Sequence, residues 1–192
     1  MRALGLCGSA RRNGNTAHLT RAVLEGAKEN GFEISEVFLN EAGITPCVGC
    51  LKCQTGESTG CSVQDGFHEV IDRIREADLV IIGSPVYTCQ VTAQTKMFLD
   101  RLYSLPRHGH PKSVDGFTKK GVTITTLGGG AADGTATKRM LRVLFEYLGT
   151  KDVSEIVAPG VFHAGAISKY PDVIAKAKQL GADLARNLSG TG

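Results

Sequence analysis

Four cysteines stand together in one segment, Cys47-Val-Gly-Cys50-Leu-Lys-Cys53, followed by Cys61 after seven intervening residues. Four thiolates from one stretch of chain can close a four-cysteine site, and C-x2-C-x2-C is the compact spacing that wraps three corners of an iron–sulfur cube. Gly49 leaves room where the backbone would pass inorganic sulfide, and Gly56 and Gly60 let the chain bend back to bring in Cys61. Two other chemistries suit the same residues. Zinc takes four cysteines, though usually as two separated C-x2-C pairs. A C-x2-C pair can also cycle between thiols and a disulfide.

A second stretch suits an anion. Gly8-Ser-Ala-Arg-Arg-Asn-Gly-Asn-Thr16 follows the apolar run Ala3 to Cys7 and opens onto helical periodicity near Ala17. A strand feeding a helix through such a loop aims backbone N–H groups and the positive end of the helix dipole at one spot. Ser9, Asn13, Asn15 and Thr16 add short donors, and Arg11 and Arg12 add charge. Gly8 and Gly14 let backbone approach closely. A phosphate needs that combination. The loop is neither G-x-G-x-x-G nor a P-loop, and an ordinary polar turn with a capping Asn15 or Thr16 is the plainer alternative.

Strand-like runs at Ala3–Cys7, Glu33–Leu39, Leu79–Gly83, Gly121–Leu127 and Val153–Ala158 alternate with helical patterns. Phe67, Val70, Ile71 and Ile74 form the cleanest apolar stripe. Other helices are expected from Ala17 toward Asn30, over about 91–103 and 135–148, and from about 172 to 188 behind Pro171. Five strands alternating with five helices predict an α/β flavodoxin-like fold, a five-stranded parallel sheet with helices on both faces. In such sheets a ligand sits at the carboxyl ends of the strands. Two more strand-end loops should therefore meet the Gly8–Thr16 loop. Pro85, Val86, Tyr87 and Thr88 follow the third strand, where a stiffened turn and an aromatic ring suit a flat heterocycle. Gly128, Gly129 and Gly130 follow the fourth and allow backbone to approach the same ring.

These residues also carry a family resemblance. Gly8-Ser9-x-Arg11-x-Asn13-Gly14-Asn15-Thr16 and Gly83-Ser84-Pro85-Val86-Tyr87 resemble the paired FMN signatures of the NADPH-dependent FMN reductase and multimeric-flavodoxin superfamily, over at least residues 1–148. At 192 residues, with no internal repeat or linker, the chain is expected to form one domain over 1–192, and the resemblance implies that it binds FMN. The resemblance puts Ser9, Arg11, Asn13, Asn15 and Thr16 on the phosphate, and 85–88 and 128–130 around the isoalloxazine. The cysteine pattern is similar to that of the iron-sulfur flavoprotein branch, which implies Cys47, Cys50, Cys53 and Cys61 as ligands of a 4Fe-4S cluster. Two departures stand out: the last spacer is long, and the acidic Asp-Asp-Met is replaced by Gln64-Asp65-Gly66-Phe67.

The resemblance implies an oxidoreductase fed by NAD(P)H or a ferredoxin-like donor, acting on a small acceptor such as a quinone, an oxygen species or free flavin, and assembled as a homo-oligomer. A flavodoxin-like carrier or redox sensor, without a substrate pocket, is the competing class. A net charge of +3 from 22 basic and 19 acidic residues argues against nucleic acid or a membrane surface as partner. With no long apolar segment and a strand starting at the N-terminus, a cytoplasmic location is expected, where six cysteines are unlike structural disulfides. Cys7 reads as core, and Cys89 as lying near the flavin without reacting. His108 and His110 sit in a basic segment, 105–120, that reads as a surface loop, a cover or a docking surface.

Overall fold

The computed structural model describes residues 1–105 and 120–190. Its strands are β1 (Arg2–Cys7), β2 (Glu33–Phe38), β3 (Leu79–Pro85), β4 (Lys120–Thr126) and β5 (Val153–Ala158). All neighbours pair in parallel, in the order β2-β1-β3-β4-β5. That is the expected flavodoxin-like order. The helices are α1 (Asn15–Lys28), α2 (Lys52–Thr55), α3 (Gly66–Glu76), α4 (Ala93–Arg101), α5 (Thr135–Leu148) and α6 (Pro171–Ser189).

Alternation along the strands explains the three layers. Leu4 and Leu6 of β1 and Val80 and Ile82 of β3 pack against α3, α4 and α5. Ala3, Leu79, Ile81, Val122 and Ile124 face α1 and α6 on the other side. Both faces of the central strands are therefore apolar, as a doubly covered parallel sheet requires. Truncating a fully buried aliphatic such as Ile81 costs about 2–5 kcal/mol. On the second face α1 and α6 cross at near contact. A Cβ added at Gly181 would lie 1.9 Å from the Val23 carbonyl oxygen, and one at Gly26 equally close to that of Lys178. Only glycines permit this crossing.

Two boundaries differ from expectation. α4 starts at Ala93 rather than near Val91, because Thr92 is extended and gives its hydroxyl to the Gly8 carbonyl at 2.7 Å. The one-turn α2 lies inside a segment expected to be irregular. It follows Leu51 and precedes Gly56, both left-handed at φ 59° and 84°, so neither end can extend. His108, His110 and most of the 105–120 segment lie outside the described residues. Among those described, no helix is long and apolar enough to cross a membrane.

Candidate functional site

Parallel strands put the ends of β1, β3, β4 and β5 on one edge of the sheet. There the loops enclose a cleft of about 420 Å³. The β1 loop contributes Ser9, Arg11, Gly14, Asn15 and Thr16, and the β3 loop contributes Pro85, Val86 and Tyr87. Gly128, with Thr126 and Leu127, comes from β4. The fourth wall, Val161 to Ala164 after β5, was not foreseen. A signal for it existed: β5 ends on the same edge, so its loop had to border the same space.

Gly14 occupies the N-cap of α1 in an extended conformation, and no side chain caps the helix. The first turn donor to find a helical partner is His18 N, 3.0 Å from Gly14 O, so the amides before it have no intrahelical partner, and Gly14, Asn15 and Thr16 there line the cleft. The side chains nearby mostly build the loop. Arg11 N donates to Ser9 Oγ at 3.1 Å, and Gly14 N to Arg11 O at 2.9 Å. Thr16 Oγ1 lies 2.7 Å from Thr126 Oγ1. Asn15 Nδ2 donates to the carbonyls of Val161 and His163 at 2.8 and 2.9 Å, and its Oδ1 accepts from Ile167 N at 3.1 Å. The Asn15 amide is thus spent on the fourth wall. What the loop offers an anion is backbone N–H and the exposed Arg11.

The structure leaves four expected residues out of the cleft lining. Asn13 is exposed on the turn. Thr88 and Cys89 take φ of 47° and 63° in a two-residue turn closed by paired Tyr87 and Gln90 backbone bonds of 2.9 and 3.0 Å. That turn presents Tyr87 to the cleft and Cys89 to solvent. Gly129 and Gly130 bend toward the 3-10 turn Ala131–Gly134, where Asp133 Oδ2 accepts from Gly130 N at 2.9 Å. Arg12 is also turned away, pairing with Glu41 and lying over Phe38 with its guanidinium 5.2 Å from the ring centroid. Burial pushes the Cys7 thiol up to about 12, consistent with a core role.

The other four cysteines do meet. Cys47, Cys50, Cys53 and Cys61 all line one cavity of about 40 Å³ between their loop and the end of α4. Cys47 and Cys50 are exposed, whereas Cys53 and Cys61 are partly covered. Three of the sulfurs have polar neighbours: Ser62 Oγ is 3.3 Å from Cys50 Sγ, Gln54 Nε2 3.6 Å from Cys53 Sγ, and Arg101 Nη2 3.2 Å from Cys61 Sγ. The Ser62 contact holds the Cys50 thiol below its ordinary value. Among the described residues no three His, Cys, Asp or Glu side chains are gathered closely enough to hold a single metal ion.

Asp65 anchors the end of this loop. Its Oδ1 caps α3 by accepting from Phe67 N at 3.0 Å, and its Oδ2 accepts from Thr45 N and Thr45 Oγ1 at 2.9 and 2.6 Å. Arg101 Nη1 donates to both oxygens, at 2.6 and 2.5 Å. Burial raises this carboxyl, but Arg101, Thr45 and Phe67 outweigh it and hold Asp65 well below the usual carboxylate range. A depressed folded-state pKa adds stability that is complete above the unfolded value of about 4 and is lost as pH falls below it. Urea unfolding should therefore show wild type losing its advantage over Asp65→Asn as pH drops from about 5 toward 2; a constant difference would refute the assignment.

Residues 1–163 match the family model described as NADPH-dependent FMN reductase. An iron-sulfur flavoprotein of Archaeoglobus fulgidus is 35% identical over 186 residues, 96% of this chain and 79% of its own. An iron-sulfur flavoprotein of Methanocaldococcus jannaschii is 40% identical over 101 residues, 53% of this chain, and the match spans only about half, 51%, of that protein. Among solved structures, an NAD(P)H:quinone oxidoreductase from Methanothermobacter marburgensis superposes with a TM-score of 0.75 at 20% identity, covering 96% of each chain. That likeness is one of fold.

Proposed function

Because the chain belongs to the NADPH-dependent FMN reductase family, we propose that it is an FMN-dependent oxidoreductase that binds FMN in the cleft at the carboxyl edge of its sheet. The observation that carries this reading is the uncapped first turn of α1, opening into a cleft with room for a planar group. A Cβ at Gly8 would lie 1.9 Å from Thr95 Oγ1, and one at Gly14 would lie 3.0 Å from Ser9 Oγ, so glycine at both positions lets the loop fold tightly enough to bring the start of α1 to the cleft. The α1 amides and Arg11 would hold the phosphate, and Pro85, Val86, Tyr87 and Gly128 would border the ring. When bound, FMN supplies the exchange between two-electron and one-electron chemistry. The chain's own residues bind and orient it and keep water from one face.

The same proposal gives the four cysteines a 4Fe-4S cluster. Its support is the thiol set: four thiols lining one cavity, with polar neighbours at three sulfurs. A cubane puts each ligand on a different iron, so it does not need the tight shell of a single ion. At about 40 Å³ the cavity is little larger than the ~30 Å³ share of one water in bulk, so it would have to widen. The exposed Cys47–Leu51 arm is the side free to do so. Beyond the site, we propose NAD(P)H or a ferredoxin-like carrier as donor, and a quinone, an oxygen species or free flavin as acceptor. Tyr87 and Phe162, 47% and 75% exposed at the cleft mouth, are the apolar surface a second copy would cover in a homo-oligomer.

Turnover is the test. Purified chain loaded with FMN should oxidise NAD(P)H through many cycles when a quinone is present. Exchange of a single equivalent per flavin, with every donor tried, would make it a carrier instead.

A further inference from the structure

Arg101 is a fully buried arginine at the last position of α4, 1% exposed. A buried guanidinium is costly to desolvate, and that cost is offset by the donors that are matched. Its contacts all converge on the cysteine loop. Nη1 is held by the Asp65 carboxylate and lies 3.3 Å from Thr45 O, just before the first cysteine. Nη2 donates to Val63 O at 2.8 Å and to Cys61 Sγ at 3.2 Å. The guanidinium also lies over the Phe67 ring, 4.4 Å from its centroid, and Nε is buried without a partner.

We propose that Arg101 is the positioning residue of the cysteine site: it ties both ends of the loop to α4 and sets the charge felt at the Cys61 sulfur. Three features carry this beyond packing. The planar fork of arginine reaches the loop entry, the loop exit and the sulfur at once, which lysine cannot do. Asp65 takes both of its bonds from Nη1, which leaves Nη2 to reach Val63 O and Cys61 Sγ. Hydrogen bonds to the sulfurs are among the terms that set the reduction potential of an iron–sulfur group. A cation donating to Cys61 withdraws electron density and favours the reduced state. This role rests on the cluster reading given above.

The test uses the full chain, prepared and handled anaerobically. Arg101→Lys keeps the charge, and Arg101→Met paired with Asp65→Asn removes both charges so that neither is left buried alone. Three readouts are taken together: iron and sulfide per chain, the rate of iron loss to a chelator, and the potentials of cluster and flavin in one titration. Both variants should keep FMN and its potential. The double variant should lose iron several-fold faster and show a cluster potential shifted lower, with Arg101→Lys between it and wild type. Variants with wild-type iron loss and cluster potential overturn the proposal. If wild type itself contains neither iron nor sulfide, the cluster reading fails. Arg101 is then judged by alkylation in the same samples: the ratio of Cys61 to Cys47 labelling should change several-fold in the double variant, and an unchanged ratio overturns the role of Arg101 as well.

Discussion

Cys50→Ala should strip anaerobically prepared protein of most of the iron that the proposed cluster brings, and should leave FMN in place. Anaerobic wild type should hold about four irons per chain, as a cubane on four thiolates requires, and the variant should fall below about one. Cys50 is exposed on the outer arm of the loop, lines the shared cavity and meets only the Ser62 hydroxyl and local backbone including that of Lys52, so its loss should remove a proposed ligand without breaking the core. The cleft proposed for FMN is built from different loops, those following β1, β3, β4 and β5, and should not notice. Cys89→Ala is the matched control. That thiol is also exposed, but it sits on the tight turn after β3, and its removal should leave the iron content unchanged. Iron, acid-labile sulfide and flavin absorbance on one preparation read all of this. Anaerobic protein with FMN but neither iron nor sulfide would leave a plain flavin reductase.

Asn15→Ala should loosen FMN by about 10–100-fold, equivalent to roughly 1.4–2.8 kcal/mol. No bond from Asn15 to the ligand is needed for this. Its amide holds Val161 O, His163 O and Ile167 N in place, over a sequence separation of about 150 residues. Removing it leaves two carbonyls and one N–H to find other partners, at about 1–3 kcal/mol for each that stays buried and unmatched. The wall bearing Phe162 and His163 then relaxes. A fall in melting temperature should accompany the weaker binding, since the same bonds tie α1 to the segment before α6. Thr16→Ala loses one hydroxyl contact with Thr126 and should do less. Asn13→Ala, exposed and outside the cleft, should do nothing. Fluorescence titration of FMN measures all three, and an Asn15→Ala dissociation constant within about twofold of wild type would sink the account of the wall.

Much of this architecture was legible in the sequence alone, and the reasons are physical. Period-two burial is erased in strands covered on both faces, so Leu79-Val-Ile-Ile82 reads as a continuous apolar run and betrays a parallel sheet. Parallel strands then force their loops to one edge, which is why Ser9, Pro85 and Gly128 could be expected together. What the sequence hid was the direction of side chains. Asn15 has the composition of a phosphate donor and the geometry of a latch, because its partners lie about 150 residues away and no local pattern encodes them. Gly129 and Gly130 looked like ring contacts, but the carboxylate of Asp133 draws that loop into a turn. Asp65 stood out only as a departure from a family pattern; its pairing with Arg101, 36 residues on, gives it a reason. A charged residue at the end of an amphipathic helix ordinarily reads as exposed, so the burial of Arg101 had no signal in the sequence.

A crystal structure of the FMN-loaded chain would show where the cofactor sits. The phosphate should lie within hydrogen-bond reach of the first-turn amides of α1, about 2.7–3.2 Å, with the ring bordered by Pro85–Tyr87, Gly128 and the Val161–Ala164 wall. FMN bound anywhere else, or a phosphate held by side chains remote from the α1 N-terminus, would contradict the proposed site.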